Sequence, residues 1–192
     1  FLETRDQNKD DQRLQVHPFT TFDELAGLFQ QEVIQGQYDA IIHAAQWNDY
    51  LSAGVYSPEA GTFFNARTCE WDWQGQRPAL KDQKGHLATT SEPELWLRLV
   101  RAPRLIERIR KPWGYAGIVV IFVMEAAWAD GDAVAHAEKA RINSGADYAV
   151  IPAMEINARH AYLGPIQGRY EKLDTHELAE QMILTIEELH RH

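Results

Sequence analysis

The stretch Tyr38-Asp39-Ala40-Ile41-Ile42-His43-Ala44-Ala45 decides the fold. Its apolar residues run on without polar alternation, and turn-forming residues bound it. A short unbroken run of this kind fits a strand covered on both faces, as in a parallel sheet. Upstream, Thr21-Phe22-Asp23-Glu24 has the form of a capping box, with Thr21 as N-cap and Glu24 reaching back. Phe22, Leu25, Ala26, Phe29, Val33 and Ile34 follow at helical spacing, and Gly36 ends the helix. Leu14 to Val16 is a short strand candidate. Before it, residues 1–13 form a polar stretch with no face to bury, expected as a polar loop or truncated start.

Downstream, residues 46–93 show no sustained period and hold several Gly and Pro, so the expectation is a long irregular loop. Leu95, Leu97 and Leu99 alternate, which suggests a strand over 94–100. Pro103 can open a helix running to Arg110. Trp113 to Gly117 reads as a turn, and Ile118 to Met124 as a second fully buried strand. Asp130 can cap a helix through Ala133, Ala137 and Ala140, ended at Gly145. Tyr148 to Ile151 is a third apolar strand. Residues 162–170 contain Gly164-Pro165 and Gly168 and predict a hairpin. A last helix begins at Asp174-Thr175-His176-Glu177, with Leu178, Met182, Ile186 and Leu189 as its buried stripe. Alternating buried strands and helices imply a three-layer α/β sandwich with a mostly parallel sheet and a C-terminal hairpin.

Composition narrows the function. The chain has 192 residues, 19 Lys and Arg against 28 Asp and Glu, and a formal net charge of −9. That balance argues against nucleic-acid polymers as partners, which require a basic footprint. One cysteine, Cys69, excludes a disulfide framework and a Cys-rich zinc site. The apolar run Ala116 to Met124 is too short to span a bilayer. No signal peptide is visible, so the expectation is a soluble cytoplasmic protein without membrane partners.

In parallel α/β sheets, ligands bind beyond the carboxyl ends of the strands. That singles out the segments after Ala45, Met124 and Ile151. The first holds small residues and then Asp49, which could bind ribose hydroxyls, a metal or an amine, or simply cap its loop. The second holds Phe122, where core packing is the plain alternative, and Glu125, a reasonable magnesium or hydroxyl ligand or a solvated strand end. His43 lies inside a buried run and reads as a core histidine. The eight histidines show no pair at helical zinc spacing. Lys81, Lys84 and His86 form a cationic group that could meet phosphates or belong to a solvated lid. Neither G-x-G-x-x-G nor a Walker sequence is present.

Tyr38 to Ala45 followed by Asn48-Asp49-Tyr50 resembles the corresponding segment of phosphopantothenate–cysteine ligases, the synthetase half of the bifunctional coenzyme A biosynthesis flavoprotein. The resemblance continues through Glu92 to Leu99, Ala102 to Ile106, Trp113 to Gly117, Ser144 to Asp147, Leu163-Gly164-Pro165 and the terminal helix. It covers the chain from about Phe19 onward, and the order and spacing of the pieces carry it. It implies a Rossmann-like fold and a single ligase-like domain over 14–192. It also implies a reaction that joins 4′-phosphopantothenate to cysteine through a nucleotide-activated acyl intermediate. CTP or ATP would be the co-substrate with Mg2+, and the protein would be a homodimer. By the same resemblance Asp49, Phe122 and Ala45 would bind the nucleotide, and Lys84 would be catalytic. The family's opening strand, glycine-rich turn and "SNxSSG" segment would precede Leu14. Gln46-Trp47 stands where relatives carry small residues, Ile121 and Val123 flank Phe122, and Val150-Ile151-Pro152 replaces the family's "VAN" end. These departures leave open a catalytically impaired or purely nucleotide- or partner-binding protein on the same fold.

Overall fold

A computed structural model of the chain describes residues 15–45, 49–75, 77–84, 91–124, 130–153 and 159–191, with the backbone alone at 130 and 131. The chain packs as two compact units, Phe1–Ala45 with Leu105–His192, and Gln46–Arg104.

The first unit begins with helix α1, Phe22–Gln35. Its capping box forms as the sequence predicts. The Glu24 N–H donates to Thr21 Oγ1 at 3.2 Å, and the Glu24 carboxylate accepts the Thr21 N–H at 3.1 Å. The Thr20 and Thr21 N–H groups, both donating to that carboxylate, hold the Glu24 carboxyl below its ordinary pKa. Strand β1, Ala40–His43, follows as an edge of the sheet. Gln15 and Val16 form no strand, and Leu14 lies outside the described residues.

After the second unit, a short 3-10 turn spans Leu105–Arg108, shorter than the helix expected from Pro103. Three strands of the second unit, β2 to β4 (Tyr50–Pro58, Thr62–Asn65, Glu70–Trp73), and its last two, β5 and β6 (Leu80–Asp82, Trp96–Arg101), precede that turn. The first unit resumes with β7, Ile118–Phe122, helix α2, Asp130–Ser144, and β8, Tyr148–Pro152. The hairpin β9, His160–Ile166, and β10, Arg169–Asp174, leads to helix α3, Leu178–His190. The hairpin turns on Gln167 and Gly168, both at positive φ (49° and 80°), the backbone sense that matches strand twist in a two-residue loop.

The sheet order is β1-β7-β8-β9-β10. Strands β1, β7 and β8 run parallel, with Ala40 opposite Ile118 and Val120 opposite Tyr148. The hairpin strands pair antiparallel. Both sheet faces carry a core, which is why the strands read as unbroken apolar runs. On one face, Val119, Ile121, Ala149 and Ile151 pack with Val33 of α1 and Ala137 of α2. On the other, Ile118, Val120, Val150, Ala161 and Leu163 pack with Leu178, Met182 and Ile186 of α3. Leu189 was expected in that stripe and is exposed instead; Thr185 is buried, its hydroxyl donating to the Gln181 carbonyl at 2.7 Å. The parallel core, flanking helices and C-terminal hairpin are those of a Rossmann-like α/β fold.

The second unit replaces most of the expected loop with strands. Three of them form an antiparallel sheet, β5-β2-β6, and β3 pairs with β4 as a hairpin. Its packing is aromatic: the rings of Phe64, Trp71 and Trp96 meet at 4.7 to 5.4 Å between centroids. Periodicity missed β2 because a register shift between Ser52 and Gly54 breaks its alternation.

One cation ties the first unit together. Arg110 donates from Nε to the Gly145 carbonyl at 2.9 Å and from Nη1 to the Tyr115 and Gly117 carbonyls at 2.9 and 2.7 Å. Its Nη2 meets Asp147 Oδ2 at 2.6 Å, and the same oxygen accepts the Val119 N–H at 2.7 Å. We expect Arg110→Ala to cost about 2–3 kcal/mol in chemical denaturation, because it strands a half-buried carboxylate and three carbonyls. Asp147→Asn, which keeps an acceptor for Val119, should cost about 1 kcal/mol; an equal loss in both variants would show that the charge pair, and not the retained acceptor, carries the effect.

A second network joins α2 to β10. Glu138 accepts two bonds from Arg141, at 2.7 and 2.8 Å, and one from the Tyr170 hydroxyl at 2.9 Å. The Arg141 bonds lower the Glu138 pKa from 4.5 to about 2. Burial and the Glu138 carboxylate push the Tyr170 hydroxyl up. A lowered folded pKa gives stability that is present above pH 4.5 and lost as pH falls toward 2. Glu138 is about a third exposed, so solvent screening leaves about 1 kcal/mol of that effect. Glu138→Gln should therefore flatten the acid limb of the stability–pH curve over that window, read by thermal denaturation at stepped pH.

Candidate functional site

The three parallel strands end together at His43, Phe122 and Pro152. Register puts His43 opposite Ile121 and Phe122 opposite Val150. The carboxyl edge of the sheet is thus defined by side chains from β1, β7 and β8, at the position where sheets of this kind bind ligands. The opposite edge is occupied by the Arg110–Asp147 network, so the two ends of the strands differ in role.

Two of the four site residues singled out from the sequence belong to this carboxyl edge. Phe122 is the last residue of β7, half-buried, and packs with the α3-side core. Ala45 lies two residues beyond β1 and is exposed, a small side chain that leaves room above the strand end. They mark the ends of neighbouring strands of one sheet, Phe122 on β7 and Ala45 just past β1. Gln46, Trp47 and Asn48 lie outside the described residues, as does Glu125, and so do residues 154–158 after β8.

Asp49 and Lys84 belong to the second unit. Asp49 is exposed just before β2, and its carbonyl accepts the Ala102 N–H at 2.8 Å. Lys84 follows β5 in a left-handed turn at φ 47°, its N–H bound to Asp82 Oδ1 at 2.7 Å. Asp82 pairs with Tyr56 near the far end of β2. Asp49 and Lys84 are therefore separated by roughly 15–20 Å of strand, at about 3.3 Å per residue. This unit does not bring the two side chains together. Lys81 shares the strand that leads to Lys84, but Asp82 stands between them; His86 lies outside the described residues.

His43 occupies the core side of the carboxyl edge. Its ring lies 5.8 Å from that of Phe29, which in turn meets Trp113 edge-on at 5.6 Å. Burial lowers the His43 pKa, so the neutral imidazole is favoured. This agrees with the reading of a core histidine. Cys69 is exposed in the β3–β4 turn at φ 57°, where Asn65 Oδ1 accepts the Arg67 and Thr68 N–H groups. Arg141 is engaged by Glu138 and the Ala146 carbonyl. Among the described residues, no group of three or more His, Cys, Asp or Glu could hold a metal ion. No helix among them is long and apolar enough to cross a membrane.

No known family profile matches the chain, and no curated protein sequence matches it. Its structure resembles solved ones. The DNA/pantothenate metabolism flavoprotein from Streptococcus pneumoniae matches with a TM-score of 0.67 and 16% identity, over 95% of this chain and 74% of that one. The C-terminal domain of the coenzyme A biosynthesis bifunctional protein CoaBC matches at 0.39 and 14%, over 48% and 44%. A Cab2 variant in complex with phosphopantothenate-cysteine matches at 0.41 and 17%, over 57% and 36%. The last two scores are too low to carry an argument. The Streptococcus pneumoniae protein shares the fold of this chain across nearly its whole length, and that fold is what the likeness establishes.

Proposed function

We propose that the chain is a ligase-like domain of coenzyme A biosynthesis that joins 4′-phosphopantothenate to cysteine. The observation that carries this reading is the fold likeness to a pantothenate-metabolism protein over 95% of the chain. The ordered segments quoted from the sequence support it. The reaction proceeds in two steps. The phosphopantothenate carboxylate attacks the α-phosphorus of CTP or ATP, forming an acyl-nucleotide and expelling pyrophosphate. The cysteine amine then attacks the acyl carbon, the amide forms, and the nucleoside monophosphate leaves. Magnesium enters with the triphosphate, largely ligated by phosphate oxygens, as is usual for this ion. The homodimer and the cytoplasmic setting belong to the same proposal.

In this reading Phe122 lies against the base, Ala45 leaves space for the nucleotide and Asp49 holds a hydroxyl. Lys84 stabilises the charge that develops on the phosphates. A second reading, nucleotide binding without turnover, is favoured by the apolar Ile121, Val123 and Pro152 at the strand ends. Removing charge-stabilising groups from such a site costs orders of magnitude in rate.

Incubation with phosphopantothenate, cysteine, magnesium and CTP or ATP should release pyrophosphate in a cysteine-dependent manner. Absence of release with both nucleotides would discard the ligase reading; calorimetric nucleotide binding in the same preparation would then favour the second. In an active preparation, Lys84→Ala should lower kcat/KM on the order of 10²-fold. Phe122→Ala should weaken nucleotide binding by roughly tenfold, the worth of one aromatic contact, while Phe122→Tyr should largely retain it. If Phe122→Ala binds nucleotide as tightly as the parent, Phe122 is core packing alone.

A further inference from the structure

We draw no further inference here: the strongest candidate, the open edge of β1 with Ile42 45% exposed on the α3 side of the sheet, carries nothing because nothing in the structure shows what covers it.

Discussion

The Arg110 guanidinium is the interaction on which the first unit depends. A parallel sheet has no hairpins to fix its register, so its strands must be located by other means. Here a single planar cation reaches the segment entering β7, the end of α2 and the residue before β8. Its partner Asp147 then accepts the backbone of Val119, so one carboxylate fixes both the side chain and the strand. Gly145 is part of the same arrangement. It stands at φ 69°, and a Cβ there would come within 2.9 Å of Arg110 Cγ. Glycine thus serves both the turn that ends α2 and the close approach of the arginine. Arginine suits the position because only its fork offers donors in several directions in one plane.

This placement separates stability from binding along the strands. The charge network pins the amino ends of β7 and β8, and the carboxyl ends lead into the segments where ligands bind in open α/β sheets. An acidic chain can still bind an anionic nucleotide under these conditions. The net charge of −9 is a property of the whole surface, whereas a nucleotide meets a few local groups. Groups in direct contact with a ligand weigh more than distant carboxylates, which solvent and salt screen over about 10 Å.

How much was legible in the sequence follows from burial. Strands β7 and β8 are covered on both faces, so Ile118 to Phe122 and Ala149 to Ile151 were visible as runs; Ile41-Ile42 of β1 read as a run as well, although Ile42 is exposed at the sheet edge. The α1 cap was visible because its two hydrogen bonds are local, between Thr21 and Glu24. Of the second unit, the sequence showed β6 but not β2 to β5. Leu97 and Leu99, the alternating residues that marked β6, are 53% and 52% exposed. There alternation recorded strand geometry rather than a buried face. The packing of that unit comes from Trp71, Phe64 and Trp96, whose contacts span turns that no fixed period describes. The Arg110–Asp147 pair was equally hidden, since its partners are 37 residues apart. Of the candidate site, the run lengths located the carboxyl edge near Phe122 and Ala45 but carried each strand two residues too far, to Met124 and Ala45 instead of Phe122 and His43. The separation of Asp49 from Lys84 required the pairing of β2 with β5.

Helices α1 and α2 pack on the same sheet face, and the β7–α2–β8 connection leads away from β1. Parallel crossovers of this kind are almost always right-handed. The order β1-β7-β8 places β8 on the far side of β7 from β1. Strand β1 is at the edge although its sequence reads as a central one. Ala40 and Ile42 face the side of the sheet on which α3 packs mainly over β7 and β9, so a run patterned for two covered faces has one face partly open. The apolar pattern of β1 reflects the parallel pairing it makes with β7, and its exposure reflects its place at the end of the order.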